Sequence, residues 1–400
     1  MGDSMKRIVT IAACALALAF FAGCRPGAQR DAGGDFPPDL IVLDPSRLQP
    51  ADEEARPNYQ PGDEAPQPEP VARSRRFELP IGGSTGYAGV NMPLLEASRE
   101  GAGILALLDA GQGFTILRED GEWWHVDIMG INGWVQSRAC LINLPDIIPS
   151  IVYNITNTYF SLFRSSWLDI PNVTGEALYS ARDFNSRLGR YEFIVPVLYG
   201  MAERIFTAQQ AALADGNTLV IYEAFRPHDA HQIVYDNFND LIQTDATVLA
   251  GVTSDWFTIN WFLAPAPYTH QMGTAIDVSL AAIRVTEVTR TGDFAFVRVV
   301  DYVEFPMPTI IHELSGAAAL FAHPVFSRDD IAWRTAAFAK SATDGVRLLM
   351  EYATGAGLTP LASEWWHFND WESTRAAIDL GVIGHFSTER NFSRPPIVYW

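Results

Sequence analysis

Hydrophobic and polar positions change rhythm several times along this chain. Ile8 to Phe21 is a mostly apolar run without a charge. Residues 25 to about 78, with stretches such as "RPGAQRDAGGDFPPD" and "PGDEAPQPEP", show no apolar period. A segment so rich in Pro, Gly and charge cannot bury enough apolar surface to fold, which predicts a disordered, Pro-rich linker over 24–78. From 79 to about 145, short apolar runs are cut by turn residues: "GQGFTIL", "REDGEWWHVDI", "MGINGWVQS". That pattern predicts an all-β domain over 79–145. From 150 to 400 the pattern becomes α+β. Leu198, Met201, Ile205, Ala208 and Ala212 recur at steps of three and four. They predict a helix over 196–215, with Pro196 in its first turn and Gly216 as its stop. "TLVIYEAF" reads as a strand, "HDAHQIVYDNFNDLI" as a helix and "TAIDVSL" as a strand. Residues 329–355 read as helical and "LASEWWHF" as extended.

Composition adds a bound. With 400 residues, 48% of them hydrophobic and 19% charged, the chain should bury a sizeable core in two or three domains. A net charge of −19 without any basic run argues against nucleic acid as a partner. The N-terminal apolar run follows Lys6 and Arg7 and ends in "FAGC". It is short against the ~20 residues of a membrane-spanning helix. Residues 1–23 resemble a bacterial lipoprotein signal peptide, in which cleavage exposes Cys24 for lipid attachment. The same residues also fit a plain secretory signal or a short anchor. The resemblance implies export, with a lipid anchor on the outer face of the cytoplasmic membrane or as a periplasmic or outer-membrane lipoprotein. Cys14 then lies in the signal and Cys140 remains alone in the folded part. No intramolecular disulfide is expected, and Cys140 reads as a small buried hydrophobe.

A catalytic zinc takes three protein ligands and leaves one position for water, and with one cysteine available the ligands must be His and carboxylates. "HELSG" at 312–316 lacks the second histidine of a zinc-binding HExxH helix. "THQMGTAIDVSL" offers His270 and Asp277, with Gly273 permitting an unusual turn between them. On a strand Ala275, Asp277 and Ser279 face one way and Ile276, Val278 and Leu280 the other, so Asp277 faces away from the most apolar side. A buried aspartate needs a partner, and a metal ion is one. By themselves these residues also fit a surface histidine and a turn-capping aspartate. "SEWWHFND" adds Glu364 and His367, three apart. On a regular strand these would face opposite ways, so the segment must bulge for both to reach one site, held by the packing of Trp365 and Trp366.

"HQMGTAID" and "EWWHF" resemble the HxxGxAxD and ExxH elements of zinc D-alanyl-D-alanine peptidases. These are the vancomycin-resistance type carboxypeptidases and dipeptidases of the hedgehog/lysostaphin-like zinc fold. "IYEAFRP" resembles the family's strand ending in Tyr-Arg-Pro, with Phe225 in place of Tyr. The resemblance implies a peptidase domain over 150–400, a small antiparallel sheet with flanking helices. It implies one Zn²⁺ per chain on His270, Asp277 and His367, with Glu364 as catalytic base. It also implies that Arg226 stabilises the charge developing on the scissile carbonyl. The family's usual serine two residues before the first histidine is Tyr268 here, beside Thr269. Both are candidate substrate-binding residues, and fine specificity stays open there. His228, His231, His312 and His323 match nothing in the family. "EDGEWWHV" and "GINGWV" resemble a bacterial SH3-like barrel, with Trp123, Trp124 and Trp134 as its core. Together these features imply a D,D-carboxypeptidase acting on peptidoglycan stem peptides. The alternatives are a dipeptidase or L,D-carboxypeptidase of the same family, or a non-catalytic cell-wall-binding lipoprotein.

Overall fold

The short apolar runs after residue 79 become one eight-stranded sheet in the computed structural model, which describes residues 76–397 apart from 266–268, 327, 330, 383 and 385. The expected signal, Cys24, Tyr268 and all but the last three linker residues lie outside the described residues. Among those described, no helix is long and apolar enough to cross a membrane. The strand order is Pro196–Leu198, Cys140–Asn143, Thr85–Ala88, Gly113–Asp120, Trp123–Ile128, Ile131–Gln136, Met92–Leu95 and Ile104–Leu108. Every pairing in it is antiparallel.

Two expectations change here. The strand path is open and its two outer strands do not pair, so the expected SH3-like barrel is not closed among the described residues. The edge of Cys140–Asn143 is taken instead by Pro196–Leu198, with Val197 opposite Ile142. The same pairing shortens the expected 196–215 helix, which runs Tyr199–Ala214. Pro196 lacks an amide proton and tolerates the start of an outer strand as readily as a helix start. Gly216 ends the helix as expected, with φ +75.

The second sheet has the order Thr359–Leu361, Glu364–Asn369, Ala275–Thr291, Asn217–Glu223, Val152–Tyr153, and Phe294–Glu304 also pairs with Ala275–Thr291. It is mixed rather than purely antiparallel, because Val152–Tyr153 runs parallel to Asn217–Glu223. Its central strands are buried throughout: all of Asn217–Glu223, all of Glu364–Asn369, and Ala275 to Ala281. Continuous apolar runs suit strands covered on both faces. Helix Tyr199–Ala214 turns Met201, Ile205, Ala208 and Ala212 inward. Helix Asp344–Gly355 buries Val346, Leu349, Met350 and Ala353 and is capped by Thr343, whose hydroxyl accepts from Val346 N. It replaces only the last part of the helix expected over 329–355.

The two sheets share one hydrophobic core. Trp124 packs edge-on against Tyr199 at 4.6 Å, and Phe77, at the end of the expected linker, packs against Phe206 at 5.7 Å. The C-terminal segment returns across the first sheet. Ile397 N donates to Gly82 O and Arg394 N to Gly83 O. Gly83 has φ +92, and a Cβ there would lie 2.5 Å from Pro395 O, so only glycine admits this crossing. Cys140 is a free, buried thiol whose pKa burial raises.

Candidate metal centre

Three neighbouring strands bring acidic and imidazole groups into one row. Asp277 sits opposite His367 on one side and Glu223 on the other. The second pairing needs a bulge, because the register shifts between Ile221 and Glu223. Tyr222 is turned out of the row and its hydroxyl donates to Glu304 at 2.7 Å. A second irregularity serves the other acid. Pro360 faces Phe368, yet its neighbour Leu361 faces Glu364, so Trp365 to His367 form the excess on that strand. The distortion lets Glu364 and His367 line one cavity. Trp365 and Trp366 pack against each other at 5.3 Å and are buried, and the Trp365 indole N–H is anchored on Thr309 Oγ1 at 2.9 Å.

His270 comes from the turn preceding Ala275. Gly273 N donates to His270 O, and Gly273 has φ +69. A Cβ there would stand 2.6 Å from Leu141 Cδ2 and 3.0 Å from Leu198 N. The turn is held against the first sheet by Leu198 N donating to Gly273 O at 2.7 Å.

His270 Nε2, His367 Nδ1 and Asp277 Oδ1 converge. Their separations are 3.1 Å between the two nitrogens, 3.2 Å from His270 to Asp277 and 3.0 Å from His367 to Asp277. The far ring nitrogens fix the tautomers. His270 Nδ1 faces Ala224 O at 2.7 Å and must donate to it. His367 Nε2 likewise donates to Asn369 Oδ1 at 3.0 Å. In neutral rings the near nitrogens then carry lone pairs, and these meet a carboxylate oxygen with no proton among the three. Burial holds His270 below the usual histidine range against the pull of Asp277. Against its burial, Asp277 is held well below the carboxylate range by the imidazoles around its oxygens, His270 foremost. A tetrahedral zinc with bonds of ~2.0–2.1 Å sets its ligand atoms about 3.3 Å apart, close to this triangle. The donor set therefore fits a metal ion.

A second group, Glu223, Asp277 and His312, is also close enough to hold a metal. Arg226 stands within it. Its Nε donates to Glu223 Oε2 at 2.7 Å and its Nη2 donates to the same oxygen and to Asp277 Oδ2. Arg226 Nη1 faces His231 Nδ1 at 3.3 Å. Among the expected site residues, Arg226 lines the cavity but is held by two carboxylates, and Thr269 is buried beside His270 and is not among the lining residues. His312 and Glu223 were not expected at the site. The bulge at Tyr222 leaves no trace in apolar periodicity, and His312 arrives from a loop distant in sequence.

The cavity has a volume of about 230 Å³. Phe163, Trp261, Phe262, Leu263, Trp366 and Trp371 supply apolar walls, and Thr258, Asn260 and Asn369 supply polar ones. Glu364 Oε2 lies 3.8 Å from His367 Nδ1. Burial, and then the charge of Asp277, raise the Glu364 pKa well above the carboxylate range, partly offset by Arg226. A cavity with three converging ligands and an acid beside them can carry metal-assisted acid–base chemistry. No known protein family matches the chain, and no curated protein matches its sequence.

Proposed function

We propose that this protein is an exported zinc peptidase that removes the terminal D-alanine from peptidoglycan stem pentapeptides. The observation that carries the reading is the triangle of converging ligand atoms from His270, Asp277 and His367, with Glu364 beside it on the cavity wall. A zinc ion there would supply a Lewis acid and lower the pKa of bound water toward ~7. Glu364 takes the proton from the attacking water and passes it to the departing amine. Burial raises its pKa, which favours return of the proton to the amine. Arg226 Nη1 gives one N–H to His231 Nδ1 and has a second for the oxygen of the scissile carbonyl. The aromatic walls exclude water and suit methyl side chains better than charged ones.

The substrate class rests on the resemblance of "HQMGTAID" and "EWWHF" to the D-alanyl-D-alanine peptidases and on the lipoprotein-like N-terminus. An enzyme outside the membrane meets D-Ala-D-Ala chiefly at the end of stem peptides, joined to a longer acyl chain. The test is D-alanine release from a stem pentapeptide, a tetrapeptide and free D-Ala-D-Ala by the zinc-loaded protein. The pentapeptide should turn over fastest. Faster turnover of the free dipeptide would make the protein a dipeptidase, and of the tetrapeptide an L,D-carboxypeptidase. No hydrolysis of any would favour a wall-binding lipoprotein.

A further inference from the structure

Asp277 belongs to both potential ligand groups, and its two oxygens have different neighbours. Oδ1 faces His270 and His367. Oδ2 faces His312 Nε2 at 3.1 Å and Arg226 Nη2 at 3.4 Å. We infer that the second group is a clamp rather than a second metal site: His312 and Arg226 hold Oδ2 so that Asp277 ligates a metal through Oδ1 alone. The inference rests on reading His270, Asp277 and His367 as the metal ligands.

Glu223 has no lone pair left for a metal. Its Oε2 accepts from Arg226 Nε and Nη2, and its Oε1 accepts from Asn157 Nδ2 at 2.7 Å and Tyr179 OH at 3.2 Å. A carboxylate offers about four acceptor sites, so these donors fill it. Arg226 already supplies the positive charge, and it lowers the Glu223 pKa against the effect of burial. His312 is likewise engaged. An ionised Asp277 can only accept, so His312 Nε2 carries the proton it donates and is no ligand. Nδ1, the remaining ring nitrogen, is buried without a hydrogen-bond partner.

The ring is held in place from several sides. It stacks on Phe163 at 4.3 Å and 14°, and meets Trp366 edge-on at 6.1 Å. Phe163 also meets the Arg226 guanidinium at 5.0 Å, so one aromatic ring positions both arms of the clamp. His312 sits at φ +64, a costly conformation for a non-glycine residue. Its carbonyl accepts from Arg164 N at 3.1 Å. A backbone kept in that region delivers the imidazole to Oδ2.

The chemical consequence is a limit on coordination number. Two imidazoles and a single carboxylate oxygen leave a four-coordinate metal one open position, the arrangement of catalytic zinc. With Oδ2 released, the carboxylate can turn to bind through both oxygens, which favours larger, oxygen-preferring cations. Partners in the outer shell of a metal site typically contribute about 10–100-fold in affinity.

The experiment is titration of the whole protein with Co²⁺ and Zn²⁺, following the visible cobalt absorption and competing for zinc with a chelator. The proteins are wild type, His312→Leu and His312→Gln. Four-coordinate cobalt absorbs intensely, and higher coordination weakens the band. Wild type should bind one equivalent with the intense band. His312→Leu should weaken zinc binding about 10–100-fold and fade the band. His312→Gln, whose amide N–H can reach Oδ2, should restore most of both. Leucine behaving as wild type would overturn the clamp alone, as would two equivalents or a weak cobalt band in wild type. If the leucine variant fails to fold, wild-type stoichiometry and band intensity still decide. A wild type that binds no metal overturns both the clamp and the reading beneath it.

Discussion

His231 shows how one buried ring reports on the site. Nε2 faces Ala264 O at 2.9 Å and donates to it, so Nδ1 presents its lone pair to Arg226. Burial, and then the Arg226 charge, push its pKa down to about 4 from an ordinary 6.5. The unfolded chain therefore takes a proton near pH 6.5 that the folded protein refuses until about pH 4. Stability from this residue is complete above pH 6.5 and is lost as pH falls toward 4, by on the order of 3 kcal/mol at most. Thermal unfolding across that window should show a falling Tm, and His231→Gln should flatten the slope. An unchanged slope in the variant would assign the acid sensitivity elsewhere. At the same scale, Glu364→Gln should leave metal affinity close to wild type and lower kcat by at least about 100-fold, the upper range being 10⁴ for a lost general base. Activity within tenfold of wild type would place the base at another residue.

Among the elements, the turn carrying His270 makes the sharpest demand. Gly273→Ala imposes a left-handed conformation on a residue with a Cβ and drives that carbon against Leu141 and the Leu198 backbone. A cost of about 1–3 kcal/mol is expected, read as a lower denaturation midpoint. Stability equal to wild type would show that the turn relaxes freely. The sequence made part of this arrangement legible. Helix His228–Thr244, the glycine turn and the bend at Trp365 and Trp366 follow from local pattern, and the resemblance of "HQMGTAID" and "EWWHF" to the zinc peptidase elements joined His270, Asp277 and His367. Other features depend on partners far along the chain. The bulge that brings Glu223 beside Asp277 is decided by cross-strand pairing, which periodicity within 217–223 does not encode. Pro196–Leu198 reads as the start of a helix until Cys140–Asn143 offers an edge. The strands Ala275–Thr291 and Phe294–Glu304 extend past the buried core as a ribbon that pairs with itself, and only the apolar start of the first was visible. His312 was unreadable for another reason: its role lies in the single oxygen it faces.

For the molecule as a whole, the SH3-like resemblance suggests a separable unit, whereas the pairing joins the halves. The first sheet takes Pro196–Leu198 from the C-terminal half, and Leu198 N holds the metal-site turn through Gly273 O. Residues 150–400 expressed alone would expose the buried partners of Cys140–Asn143, Trp124 and Phe77. That fragment should unfold without the cooperative transition of the whole protein. A cooperatively folded fragment that binds zinc normally would show instead that the halves are independent.

Metal content of the purified protein tests the central claim most directly. Wild type and Glu364→Gln, equilibrated with zinc and freed of excess, should each retain one zinc per chain, and His270→Ala, Asp277→Ala and His367→Ala should each retain none. Absence of zinc from wild type, or a full equivalent kept by all three ligand variants, would contradict the account.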